Sequence, residues 1–192
     1  MAEPRGPAGH RHPHRTWLYL LPEDPQVVAS PASLGAAGRA LLEAGLASPS
    51  DRTDELAPGP AWGALLEPGE APSPDSCIRL DAGVLRAYPD PGPEGFESQP
   101  LNDYRAACPA CGGGLLLFTL AFRDPDPMRG SCPRCEGTVD ISTTHWDPPL
   151  VIARTEVSLG PFGSRPRLAG QPAFGALERA LGCRLREVHV SL

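Results

Sequence analysis

The 192-residue chain contains no lysine: all 17 of its basic residues other than histidine are arginines. Asparagine is nearly absent as well, with Asn102 alone. A GC-rich coding sequence accounts for both scarcities and points to a bacterial source. Long apolar runs are missing too. None approaches the ~20 residues needed to cross a bilayer, and the amino terminus lacks the apolar stretch and small-residue cleavage site of a secretory signal. The expected location is the cytoplasm, and no membrane partner is expected. Also missing is a basic balance. Arginines number 7 against 15 acidic residues over 1–103, 4 against 4 over 104–146 and 6 against 4 over 147–192, giving −8, 0 and +2. An acidic first half argues against a general electrostatic footprint for nucleic acid, which requires a basic face.

What the chain does have is 21 glycines and 25 prolines, near the level at which composition signals disorder, yet hydrophobic residues still reach 41% and cluster in blocks. This describes a folded protein with long polar connections. The length suits one domain, expected over 16–192, behind a solvated tail at 1–15 that holds His10, His12 and His14 without an apolar pattern to order them.

Trp17 to Leu21 reads as a buried strand stopped by Pro22. A helix follows, with Ser30 as N-cap, Pro31 at its first position, Leu34, Ala37 and Leu41 on one face, and Gly45 as the left-handed residue after its last turn. Residues 47–75 read as a long loop with one short turn of helix at Trp62, Leu65 and Leu66. Cys77 to Tyr88 reads as a second strand with Ile78, Leu80 and Val84 on one face. Near the end, Phe174, Leu177 and Leu181 share a helical face closed by Gly182, and Val188, Val190 and Leu192 alternate as a strand. The fold class expected is a mixed α+β or α/β protein, a small sheet with flanking helices.

The strongest signal is Cys108-Pro-Ala-Cys111-Gly and Cys132-Pro-Arg-Cys135, two CxxC pairs separated by twenty residues. Two intervening residues let one tight turn aim both sulfurs at one ion, and proline after the first cysteine stiffens that turn. Glycine after the second cysteine permits a positive φ. Gly112 meets that requirement, whereas the second pair has Glu136 there and delays its glycine to Gly137, which predicts some strain. Cys77 and Cys183 are left over as free thiols, because paired spacing in a chain of this length argues against a disulfide framework.

These knuckles resemble the zinc-ribbon superfamily over about residues 104–146. The resemblance implies a structural Zn2+ held by Cys108, Cys111, Cys132 and Cys135, with strands between the knuckles, expected over Leu115–Phe122 and Thr138–Thr143. The first of these is apolar enough to require cover from the rest of the protein. Four thiolates leave no coordination position for water or substrate, so the ion is expected to hold structure and do no catalysis. Iron in a rubredoxin-like site uses similar knuckles, and colour separates it from zinc. A CPxC redox pair is the other rival, but Cys108 and Cys132 lie in loop-like surroundings and not at helix starts.

Between the knuckles, Asp124 and Asp126 form an acidic tip that looks like the acidic finger of transcript-cleavage zinc ribbons, although an Asp-Pro turn needs no function to explain it. His145, Trp146 and Asp147 combine a titratable ring, an aromatic and a carboxylate without a nucleophile, which favours packing or an interface. His189 reads as a half-exposed sheet residue. No catalytic set and no cofactor site are visible, and the chain is expected to be no enzyme. The reading that follows is a zinc-stabilised protein-interaction protein, an adaptor or accessory factor, whose partner is a protein. The alternative is a nucleic-acid or transcription-associated ribbon using Arg105, Arg129 and Arg134, and behind it an enzyme with a structural zinc.

Overall fold

The computed structural model describes residues 15–67, 70–90, 104–117, 120 and 128–191. The histidine tail, the acidic tip with Asp124 and Asp126, most of the Pro/Gly-rich stretch after residue 90, and Leu192 lie outside them.

Four strands make one antiparallel sheet: β1 (Thr16–Pro22), β4 (Cys77–Pro89), β9 (Leu150–Phe162) and β10 (Leu185–Ser191), in the order β10-β1-β9-β4. Two helices, α1 (Pro31–Glu43) and α2 (Pro172–Leu181), lie on one face. Both helices form where their boundary residues demand. The Ser30 hydroxyl accepts the Ser33 N–H at 3.1 Å, and Pro31 begins the helix, where its missing N–H costs nothing. At the other end Gly45 takes φ 69°, Leu46 N–H reaches Leu41 O and Gly45 N–H reaches Leu42 O, the paired bonds of a Schellman ending. Gly182 at φ 71° closes α2 in the same left-handed way.

Alternation along the strands then sorts side chains to two faces. Leu18, Leu20, Ile78, Val157 and Leu159 point toward the helices and meet Ala37, Leu41, Leu177 and Leu181. Two short strands, β2 (Ala47–Ser48) and β3 (Ala57–Pro58), and a 3-10 turn over Trp62–Leu65 close this core from the side. Trp62 is buried there, its ring 5.0 Å from Phe162 and within 7° of parallel. The opposite face carries Trp17, Tyr19 and Leu21, with Val188 and Val190 across from Tyr19 and Trp17. No helix among the described residues is long and apolar enough to cross a membrane.

Strands β4 and β9 have 13 residues each against 7 in β1 and β10, so they run well past the helices. Their far halves hold a second cluster. Leu85, Ala87, Leu150 and Ile152 pack against Leu115, Leu117, Leu120, Val139, Ile141 and Trp146 from the segment that carries the cysteine pairs. That is the cover the apolar stretch after Gly114 requires.

One strand face and two strand boundaries differ from the expectation. Val84 is 57% exposed and leaves the row of Ile78 and Leu80, because Gly83 adopts φ 93° and the β4–β9 register slips between Ala82 and Arg86. The strand begun at Leu115 ends at Leu116, and the backbone at Leu117 and Leu120 is helical. Leu120 then presses on Gly130, where an added Cβ would meet the Leu120 Cβ at 2.7 Å. The strand begun at Thr138 ends at Asp140, whose carboxylate accepts the Ser142 N–H at 2.9 Å and whose carbonyl accepts the Thr144 N–H at 3.1 Å, turning the chain. The central strand β9 was not anticipated at all. Its apolar run is interrupted by Arg154, Thr155 and Glu156, but Thr155 is satisfied from a segment far away in the sequence, accepting Ala29 N–H at 2.8 Å and donating to Val27 O at 3.0 Å.

Candidate metal centre

Each cysteine pair sits in the turn of its own small hairpin: β5 (Arg105–Ala107) with β6 (Gly114–Leu116), and β7 (Arg129–Ser131) with β8 (Thr138–Asp140). The two turns repeat one hydrogen-bond pattern. Cys108 N–H donates to Gly113 O at 2.8 Å and Gly112 N–H to Cys108 O at 2.9 Å. In the second turn, Cys132 N–H donates to Gly137 O and Glu136 N–H to Cys132 O, both at 2.9 Å.

This repeat brings the four sulfurs together. All lie within 4.8 Å of one another, with Cys108 Sγ 3.8 Å from Cys135 Sγ and Cys111 Sγ 3.7 Å from Cys132 Sγ. A disulfide would need about 2.05 Å, whereas a tetrahedron of sulfurs about 2.3 Å from its centre has edges of about 3.8 Å. The spacing therefore fits one four-coordinate metal ion. Backbone N–H groups point at the sulfurs, with Gly113 N–H 3.4 Å from Cys111 Sγ and Arg134 N–H 3.4 Å from Cys132 Sγ. Such donors offset the negative charge that four thiolates bring to a divalent ion. The backbone N–H groups of Arg134 and Cys135 hold the Cys132 thiol down at about 6. The Gly137 N–H lowers Cys135, but its hydrogen bonds with Cys111, Cys132 and Cys108 together outweigh that and push it up to about 12. Cys108 and Cys132 are buried and Cys135 lies at the surface.

The glycine pattern resolves differently from the expectation. Gly137 is the counterpart of Gly113, not a delayed Gly112: a Cβ on Gly113 would lie 3.2 Å from Cys111 Sγ, and one on Gly137 3.3 Å from Cys135 Sγ. Each turn needs a residue without a side chain two places after its second cysteine. The signal was present in the sequence as Cys-Gly-Gly beside Cys-Glu-Gly. The strain predicted at Glu136 is there, since it takes φ 59° and is the single non-glycine residue with positive φ among those described. The left-handed region costs a non-glycine residue roughly 1–2 kcal/mol, and a new glycine returns about 0.5–1 kcal/mol through the freer unfolded chain. Glu136→Gly is thus expected to raise stability by about 0.5–1 kcal/mol at unchanged metal content. The reverse change, Gly112→Val at φ 68°, lowers it, and denaturant midpoints measure both.

The other singled-out residues separate. Trp146 is buried and its Nε1–H donates to Ile141 O at 3.0 Å, so it packs the module. His145 and Asp147 are exposed and line an open groove of about 720 Å3 beside the knuckles, shared with Arg105, Thr138, Asp140 and Thr143. Arg134 and Arg129 are also at the surface. His189 is more enclosed than expected, its side chain 9% exposed with Nε2 3.8 Å from Glu187. Cys183 packs against the end of the helical core, and burial pushes its thiol up. Comparison with family models, with curated proteins and with solved structures finds no match to this chain.

Proposed function

We propose that Cys108, Cys111, Cys132 and Cys135 hold one structural zinc ion, and that the chain acts by binding another protein through the groove beside that ion. The observation that carries the reading is the convergence of four sulfurs on a single centre. A four-thiolate shell is closed, so the ion braces the two hairpins and the groove between them without meeting a substrate. The groove itself supports a protein partner, because Arg105, Asp140 and Asp147 mix both charge signs with threonine hydroxyls and an exposed histidine, where a phosphate backbone would call for arginine alone. On this reading residues 16–192 form one folding unit with the ribbon-like module built into it.

The test is affinity capture from the native host with the wild-type chain and with Thr138→Arg, which fills the groove from an exposed position. A protein retained by the wild type and lost by the variant supports the proposal. Capture of nucleic acid that fades steeply as salt rises would replace it with the alternative. Substrate turnover with no variant-sensitive partner would overturn it. Elemental analysis of the purified protein decides zinc against iron.

A further inference from the structure

The two hairpins of the metal centre carry main-chain groups that neither hairpin uses, and the phase of their ladders fixes which ones. Antiparallel pairs alternate between residues that exchange hydrogen bonds and residues that do not. Cys108 N–H donates to Gly113 O, so in the first hairpin the bonded pairs are Cys108 with Gly113 and Ala106 with Leu115. Arg105 and Ala107 therefore direct their N–H and C=O away from β6. Cys132 N–H donates to Gly137 O and Ile141 N–H to Met128 O, which sets the same phase in the second hairpin. Thr138 and Asp140 accordingly direct theirs away from β7. Arg105, Ala107, Thr138 and Asp140 all line the groove beside the knuckles.

The chain itself uses one end of these two edges. Arg105 N–H donates to Asp147 O at 3.0 Å and Asp147 N–H to Arg105 O at 2.8 Å, an antiparallel bridge on the outer side of β5. Thr144 N–H donates to Asp140 O at 3.1 Å on the outer side of β8. The segment from Thr144 to Asp147 thus joins both edges, and Thr144, His145 and Asp147 line the groove as well. Toward the knuckles the pairing stops. Continuing the bridge would set His145 across from Ala107, yet no backbone hydrogen bond forms between them. Among the described residues nothing engages the N–H and C=O of Ala107, those of Thr138, or the N–H of Asp140. Ala107 and Thr138 are exposed. Ala107 adjoins Cys108, and Thr138 follows the Gly137 that closes the second knuckle, so a metal ion at the cysteines would hold both edges in place.

We propose that the partner enters this groove as an extended polypeptide segment. It takes up the line of the Arg105–Asp147 bridge and pairs by its main chain with Ala107 on one side and with Thr138 and Asp140 on the other. The inference rests on the groove being the protein-binding surface and names the form of the partner. An unpaired strand edge is a template for an added strand, and main-chain bonds supply the affinity in that mode of recognition. The chemistry singles out a peptide. The open groups are N–H donors and C=O acceptors together, and an extended chain matches them with its own. Phosphate groups supply acceptors only and would leave the carbonyls of Ala107 and Thr138 unanswered. With both edges fixed beforehand by the ion, binding has only the incoming segment to order.

The experiment uses the full-length, metal-loaded protein as bait for random peptides displayed on phage, with Thr138→Arg for counter-selection. Enriched peptides are expected, and a synthetic copy of one should bind at roughly 10–100 μM. On binding, hydrogen exchange at the amides of Ala107, Thr138 and Asp140 should slow at least about tenfold. Methylating single amides in the central run of the peptide should weaken it by about tenfold each. Ala107→Pro removes an N–H that the hairpin does not use, so this variant should keep its metal and lose the peptide by about tenfold or more. The exchange and methylation readouts use the wild-type chain, which keeps the test valid if Ala107→Pro misfolds. No enriched peptide, unchanged exchange at the three amides, or full affinity after methylation throughout the peptide would each overturn the proposal. So would a host protein that Thr138→Arg loses and folded Ala107→Pro retains, a result that leaves the protein-binding groove standing. Failure of the groove itself shows separately, as the absence of any Thr138-sensitive protein from the host.

Discussion

Chelating the metal at neutral pH is expected to unfold the cysteine module and drop the melting temperature steeply. Structural zinc supplies about 10–16 kcal/mol at neutral pH, as much as the whole net stability of a typical domain. The hairpins cannot replace that term themselves: each is a pair of three-residue strands, too short to stand alone. Unfolding would also uncover Leu85, Ala87, Leu150 and Ile152 on the far halves of β4 and β9. Hydrogen exchange should accordingly show those halves losing protection while Leu18, Leu20 and Val157, under the helices, keep theirs. Cys111→Ser should act in the same direction as the chelator, and Cys183→Ser, remote from the cluster, should leave the metal stoichiometry as it was. An unchanged melting temperature after verified metal removal would remove the basis for a structural ion.

The second large effect is expected from adding one methyl group at Gly59. A Cβ there would lie 2.3 Å from Gly45 O, 2.6 Å from Ala47 O and 2.8 Å from Ala47 C. All three are backbone atoms of the segment leaving α1, so no flexible side chain can give way. Gly59 N–H also donates to Leu46 O at 2.9 Å and Ala61 N–H to Gly45 O at 2.8 Å, which locks the two segments together. Gly59→Ala must separate them and shift the turn that seats Trp62 on Phe162. A loss of about 3 kcal/mol is expected, which in a chain of this size lowers the melting temperature by about 6–12 °C. Gly63→Ala, where an added Cβ meets nothing within 4 Å, should stay within about 0.5 kcal/mol of wild type.

The elements visible in the sequence are those whose ends carry their own chemistry. Ser30, Pro31 and Gly45 bound α1, and Gly182 bounds α2, by local bonds that need no knowledge of the rest of the fold. The cysteine cluster was visible for the same reason, since each pair is aimed by one turn. Strand β9 was hidden because its polar residues are satisfied across long separations: Thr155 by Val27 and Ala29, Glu156 by Tyr88. Those partners sit on other elements and leave no periodic mark. The bulge at Gly83 was hidden similarly, because a register slip is a property of two strands and Ile78, Leu80 and Val84 belong to one.

That same bulge lies on β4, the outermost strand on its side of the sheet. A free edge thirteen residues long is a template on which other chains can zip into an extended aggregate. Here the row is broken twice. The slip at Gly83 interrupts it midway, and the bridge from Leu56 to Ile78 occupies its start. The kink that spoils the strand's regularity therefore also makes this border a poor template for such zipping.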